Sequence, residues 1–85
     1  MSELTRDNKV AIITAASQGM GAACAHTLAA RGYQVVLMAR SERVIHLAKE
    51  LGGVGLQGSV TEPDDLKRLV DLALATYGRI DAVVN

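Results

Sequence analysis

Apolar residues along the chain fall into two kinds of pattern, which alternate from one end to the other. The run Val10–Thr14 is apolar up to its last residue, as expected of a strand buried on both faces of a sheet. The stretch Gly19–Ala30 instead has helical composition. Its inward stripe is spaced by three and four residues and comprises Gly21, Cys24, Ala25 and Leu28. Repetition of the first pattern predicts four strands, at Val10–Thr14, Gln34–Ala39, Val54–Gly58 and Asp81–Asn85.

Small and polar residues mark the ends of the three predicted helices. Gly32 suits a left-handed cap after the first helix, and Ser41 is placed to cap the start of the second. The segment Thr61–Asp64 has the pattern of a capping box, with Pro63 in the first turn of the third helix, and Gly78 ends that helix. Residues that favour the start or the end of a helix therefore accompany all three predicted helices.

The element order βαβαβαβ predicts an α/β fold with a parallel sheet covered by helices on both faces. Right-handed crossovers place the strands in the order 3-2-1-4, which makes the sheet Rossmann-like and doubly wound. The fourth strand is then an edge without a neighbour, and an open apolar edge favours aggregation. We therefore expect the sheet to be incomplete and more chain to follow Asn85.

The turn between the first strand and the first helix is the main candidate for a binding site. Ligands of doubly wound sheets bind beyond the carboxyl ends of the strands, beside the first strand. Gly19 and Gly21 lack Cβ atoms, so the backbone can approach a pyrophosphate, and the helix N-terminus offers it free N–H groups. Ser17 adds a hydroxyl donor.

Composition removes several function classes. Nine Lys and Arg residues balance nine Asp and Glu residues, and two tyrosines are the only aromatics, so neither a basic nucleic-acid surface nor a base-stacking platform is expected. No apolar run approaches the roughly 18–20 residues of a membrane span. The mixed charges of residues 1–9 make a poor signal peptide, so we expect a cytoplasmic protein.

The side chains that bind metals offer no candidate site. Cys24 is the only cysteine and is expected to be buried, and no His, Asp or Glu cluster has metal-ligand spacing. His26 and His46 fall opposite the inward stripes of their helices, which predicts surface positions.

Four segments together resemble the short-chain dehydrogenase/reductase family. TAASQGMG at Thr14–Gly21 is similar to that family's Thr-Gly-x-x-x-Gly-x-Gly turn, and the likeness continues through VVLMAR (35–40), GSV (58–60) and IDAVVN (80–85). The resemblance implies a Rossmann fold, NAD(P) binding and a homodimer or homotetramer. It also implies that residues 1–85 are the N-terminal part of one domain and that the catalytic half lies beyond them.

Two residues depart from the family's pattern. Ala15 stands where the family usually has its first glycine, and a positive φ there would cost alanine about 1 kcal/mol. If φ is not positive, the methyl group only crowds the adenosine side. Ser59 stands where an aspartate usually contacts adenine. Both changes bear on cofactor affinity and leave the phosphate-binding turn in place.

The residues after the second strand favour NADP over NAD. An NAD site places a carboxylate at the end of that strand, where this chain has Ala39. Arg40 follows and can fork onto a 2′-phosphate, and Ser41 can donate to it. In the family that this chain resembles, an arginine here accompanies NADP. The predicted cofactor-binding residues are Thr14, Ala15, Ser17, Gln18, Gly19, Met20, Gly21, Arg40, Ser41, Ser59, Val60 and Asn85.

The family's catalytic Tyr-x-x-x-Lys pair is absent from this sequence, because Leu37 and Asp81 lie four residues after Tyr33 and Tyr77. The resemblance therefore implies an oxidoreductase that transfers hydride between nicotinamide and a carbonyl or alcohol substrate, with these residues supplying only cofactor binding. Reductases of 3-oxoacyl thioesters are a common version of the resemblance. The alternative interpretation is a non-catalytic NADP-binding or interaction module.

Overall fold

A computed structural model of the chain describes residues 9–85, in which strands and helices alternate throughout. The elements in chain order are β1 (Val10–Thr14), α1 (Gly19–Ala30), β2 (Gln34–Ala39), α2 (Arg43–Glu50), β3 (Val54–Gln57), α3 (Pro63–Tyr77) and β4 (Ala82–Val84). All seven correspond to elements expected from the sequence. The expectation about a signal peptide falls on residues 1–8, which lie outside the described part.

The four strands form one parallel sheet in the order β3-β2-β1-β4, which confirms the predicted Rossmann-like arrangement. β1 is central and pairs with β2 on one side and β4 on the other, so that Ile12 lies opposite both Val36 and Val83. Every strand therefore ends at the same edge of the sheet, and the loops that follow the strands gather there.

Alternate residues of β1 and β2 enter two separate cores. Ile13, Val35 and Leu37 pack on the face covered by α1 and α2, where they meet Ala25 and Val44. The opposite face is covered by α3, and the buried residues there are Val10, Ile12, Val36, Met38, Leu69 and Ala73. Both faces of the central strands are thus dry, as their continuous apolar runs predict.

A carboxylate joins the amino ends of the first and last strands. Asp81 Oδ2 accepts a hydrogen bond from the Val10 N–H at 2.8 Å, and the Arg79 guanidinium donates to both carboxylate oxygens at 2.7 and 2.8 Å. Hydrogen bonding from Arg79, followed by the bond from Val10, holds the pKa of Asp81 below its ordinary value. This link lies at the amino ends of the strands, and the candidate site lies at their carboxyl ends.

The predicted capping box is wrong. Glu62 occupies the cap position of α3 without a side-chain cap bond, and the Thr61 hydroxyl instead bonds the Ser59 hydroxyl at 2.7 Å. Ser41 caps from one position further out than predicted: Glu42 holds the cap position of α2, and Ser41 Oγ accepts from the Arg43 N–H at 3.2 Å. The glycine boundaries are as predicted, since Gly32 and Gly78 have φ of 94° and 79°.

Some details of strand length and burial also differ from the predictions. β3 ends at Gln57 instead of Gly58, and β4 spans three residues instead of five. Cys24 is half-buried, not fully buried, because it borders an open apolar groove. On α3, Leu69 and Ala73 are buried, whereas Leu66 and Val70 are exposed. His26 and His46 are exposed, as predicted.

Candidate functional site

The turn between β1 and α1 contains two residues in the left-handed backbone region. Ala15 has φ of 53° and Gly19 has φ of 64°. Between them, Ala16 is fully buried and its N–H donates to the carbonyl of Met38 at 3.2 Å, which fixes the turn against the end of β2. The turn thus has a positive φ at position 15. Of the two alternatives that the sequence left open, the one with backbone strain at Ala15 is therefore correct.

The turn lies against α1 with no room for a side chain at Gly21. A Cβ atom there would overlap the carbonyl oxygen of Ala15. Gln18 occupies the cap position of α1, where no side-chain cap bond is made, and the first turn carries no acidic residue. The first helical N–H groups are therefore free to meet an anion, and this cradle of small residues fits a pyrophosphate.

A pocket of about 170 Å³ opens where β1, β2 and β3 end. It brings together residues that lie far apart in the sequence, namely Ala15, Met38, Ala39, Arg40, Gly58, Ser59, Val60 and Thr61. Four of the predicted cofactor-binding residues, those at positions 15, 40, 59 and 60, therefore share one cavity.

A second pocket of about 420 Å³ lies on the other side of the same turn. Its lining comprises Thr14, Ala15, Gln18, Met20, Gly21, Cys24, Val84 and Asn85. Thr14 Oγ1 lies 2.7 Å from Asn85 Oδ1 and donates to it, which ties the end of β1 to the end of β4. Ala15 is common to both pockets, so the turn forms the ridge between them.

Arg40 is held by its backbone while its side chain stays available. The Gln57 side-chain amide donates to the Arg40 carbonyl at 2.9 Å, and the Gly58 N–H donates to the Ala39 carbonyl at 2.9 Å. Within residues 9–85, the Arg40 guanidinium has no hydrogen-bond or ion-pair partner, and the residue is exposed. Ser41 is half-buried and lies outside the lining of both pockets.

Ser59 is fixed by its neighbours in the first pocket. Its N–H donates to Asp65 Oδ2 at 3.0 Å, and its hydroxyl oxygen accepts from the Thr61 N–H at 3.2 Å. Asp65 is in turn paired with Arg68 at 3.0 Å. A carboxylate that the sequence analysis missed is therefore bonded to the residue that replaces the family's aspartate.

The sequence analysis also missed Arg43, the first residue of α2. Its Nη2 donates to Gln18 Oε1 at 3.3 Å, which links the start of α2 to the start of α1. These residues are 25 positions apart and belong to no shared motif. A signal was nevertheless present, since both are polar residues at the starts of helices that a parallel sheet brings to one edge.

Other kinds of site find no support within the described range. Residues 9–85 contain no group of three or more His, Cys, Asp or Glu side chains able to hold a metal ion. None of the helices in that range is long and apolar enough to cross a membrane. Tyr77 is half-buried against the core on the α3 face of the sheet, and this burial raises the pKa of its phenol.

Comparison with known proteins identifies the family to which this chain is similar. The family model described as short chain dehydrogenase matches residues 9–85. An uncharacterized oxidoreductase of Listeria innocua is 41% identical over 86 residues, and 11-beta-hydroxysteroid dehydrogenase 1A of Arabidopsis thaliana is 40% identical over 84. The 3-oxoacyl-acyl-carrier-protein reductase of Escherichia coli K12 is 39% identical over 82 residues.

These matches cover most of this chain but a minor part of each relative. They include 94%, 91% and 93% of the chain, respectively. The same matches span 35%, 24% and 34% of the relatives. The chain thus spans between a quarter and about a third of the length of these curated relatives.

Proposed function

This chain belongs to the short-chain dehydrogenase family, and we propose that the intact protein is an NADP(H)-dependent oxidoreductase of that family. In this proposal residues 9–85 bind the cofactor, and the reacting groups lie elsewhere in the intact protein. The observation that carries the proposal is the cavity at the ends of β1, β2 and β3, which has Arg40 and no carboxylate at the end of β2.

Each part of the site has one task. The turn from Ala15 to Gly21 holds the pyrophosphate through backbone N–H groups, Arg40 and Ser41 hold the 2′-phosphate, and Ser59 with Val60 borders the adenine. Thr14, by its bond to Asn85, keeps the ends of β1 and β4 together beneath the bound cofactor. When bound, NADPH would donate a hydride to a carbonyl substrate, and NADP⁺ would accept one from an alcohol.

The substrate in this proposal is a small carbonyl compound or its alcohol, and the intact protein assembles as a homodimer or homotetramer. Cytoplasmic location stays a prediction. One relative is named 3-oxoacyl-acyl-carrier-protein reductase, which makes 3-oxoacyl compounds the first substrates to assay.

The test is the affinity of the intact protein for NADPH and NADH, measured by fluorescence of the reduced nicotinamide. Arg40→Ala is expected to weaken NADPH binding about tenfold to a hundredfold, because a charge-assisted hydrogen bond contributes roughly 1.5–3 kcal/mol. NADH lacks the 2′-phosphate and should be nearly unaffected.

Arg31→Ala provides the matched control, since Arg31 is exposed at the opposite end of α1. Equal losses for the two cofactors in the Arg40 variant would contradict the assigned role. Tight NADPH binding by an intact protein that turns over no carbonyl or alcohol would favour the alternative, a non-catalytic binding module.

A further inference from the structure

Two arginines lie within four residues at the end of β2, and the proposed function gives a role in cofactor binding to only one of them, Arg40. Arg40 directly follows the strand, and Arg43 begins α2. The guanidinium of Arg43 reaches across to the phosphate-binding turn, where it donates to Gln18 Oε1 at 3.3 Å. The second cation is thus anchored on the turn that borders both pockets.

We propose that Arg43 is a second arginine that selects the 2′-phosphate, beside Arg40, and that Gln18 positions its guanidinium for this purpose. The inference rests on the proposed NADP site and adds to it a residue on a different element. Arg40 approaches the ligand from the end of β2, whereas Arg43 approaches it from α2 and the turn after β1.

The hydrogen bond to Gln18 does not neutralise the positive charge of Arg43. Gln18 is a neutral amide, so the bond orients the guanidinium without neutralising it as a carboxylate would. A guanidinium has five N–H donors, and the structure shows one of its nitrogens engaged. Within the described residues, the neighbouring acid Glu42 makes no side-chain bond to either arginine. Two cations therefore remain available to a phosphate monoester, which carries roughly −1.5 to −2 charges at neutral pH.

The position of Arg43 is unfavourable for the helix itself. It is the first residue of α2, where the partial positive charge of the helix N-terminus repels a cation. The residue is also exposed, so it adds little to the core. A bound dianion would offset the repulsion between the helix N-terminus and the guanidinium, because both attract it.

The experiment compares two probes that differ by a single group, adenosine 2′,5′-bisphosphate and adenosine 5′-monophosphate, bound to the intact protein and followed by calorimetry. Arg43→Ala should weaken the bisphosphate about tenfold and the monophosphate less than about twofold. Arg43→Lys should restore part of the preference, because it keeps the charge and loses the fork. Lys49→Ala is the control, as Lys49 is exposed at the far end of the same helix.

A double-mutant cycle tests the positioning role of Gln18. Gln18→Ala should weaken the bisphosphate about threefold, and the combined variant should lose no more than Arg43→Ala alone. The bisphosphate affinity of the wild type should also depend more steeply on salt than that of Arg43→Ala, since one screened cation has been removed.

The outcomes separate the two proposals. A wild-type protein without preference for the bisphosphate would overturn the NADP assignment and this inference with it. A wild-type preference that Arg43→Ala leaves unchanged, or equal losses for both probes, would overturn only the role of Arg43. Additive effects of the Gln18 and Arg43 substitutions would overturn the positioning role of Gln18.

Discussion

Ala15 carries backbone strain at the centre of the candidate site. An L-residue in the left-handed region costs about 1–2 kcal/mol, and Ala15 has φ of 53°. The turn keeps this conformation because both of its sides are fixed. Ala16 is buried and bonded to β2, and Gly21 packs directly on the Ala15 carbonyl. The strain is therefore imposed by the fold and not by the side chain.

Ala15→Gly should stabilise the protein by about 0.5–1 kcal/mol. Relief of the positive φ outweighs the greater chain entropy that glycine adds to the unfolded state. Urea unfolding of the intact protein measures the difference.

The control for this prediction is Ala23→Gly, which places glycine in the exposed middle of α1. It should destabilise by about 1 kcal/mol, because glycine is a poor helix former. A loss of stability in both variants would mean that position 15 is not strained.

At the scale of elements, one glycine sets how closely α1 can lie on the turn after β1. Gly21→Ala places a methyl group against the backbone oxygen of Ala15, which cannot move without shifting the strand end. The expected loss is about 2–3 kcal/mol in unfolding free energy, the upper range for overpacking. Weaker NADPH binding should accompany it, because the first turn of α1 is displaced.

Gly19→Ala is the comparison, since a Cβ there meets nothing within 4 Å and only its φ of 64° opposes the change. Its cost should stay near 1 kcal/mol. Similar losses in the two variants, measured by urea unfolding, would argue against steric contact as the reason for Gly21.

Element order and the glycine ends of the helices were predictable from local pattern, and strand order followed from that element order. Apolar runs and glycine boundaries identify β1, β2 and all three helices, and crossover handedness then orders the sheet. The capping box failed because the Thr61 hydroxyl has a competing partner, Ser59, which local pattern does not reveal. The Arg43–Gln18 bond was missed for a related reason: only the folded sheet brings these two helix starts together.

At the scale of the whole molecule, Asp81 links the amino ends of β1 and β4 by accepting a hydrogen bond from Val10, 71 positions away in the sequence. The pKa of Asp81 is lowered in the folded state, so its contribution to stability is present above the pKa of the unfolded chain. That contribution is lost as pH falls through the folded pKa. The link between the first and last strands should thus weaken in acid.

Asp81→Asn should therefore lower Tm at pH 7. The difference in Tm between the wild type and this variant should become smaller as the pH falls below about 4. Asp71→Asn is the control, because Asp71 forms an exposed ion pair with Lys67. Such a pair contributes about 0–1 kcal/mol and should leave Tm almost unchanged. A gap for Asp81→Asn that stays constant with pH would exclude ionisation as the cause.

The bond between Thr14 and Asn85 also limits which groups can serve the ligand. A threonine hydroxyl has a single hydrogen, and Thr14 directs it to Asn85 Oδ1 at 2.7 Å. Phosphate oxygens only accept, so Thr14 has no hydrogen left for them while that bond lasts. In the described part of the turn, the hydroxyl hydrogen of Ser17 is not committed to any protein acceptor. In the proposed site, the pyrophosphate would therefore be bound by backbone amides and the Ser17 hydroxyl, while Thr14 orients the Asn85 side chain.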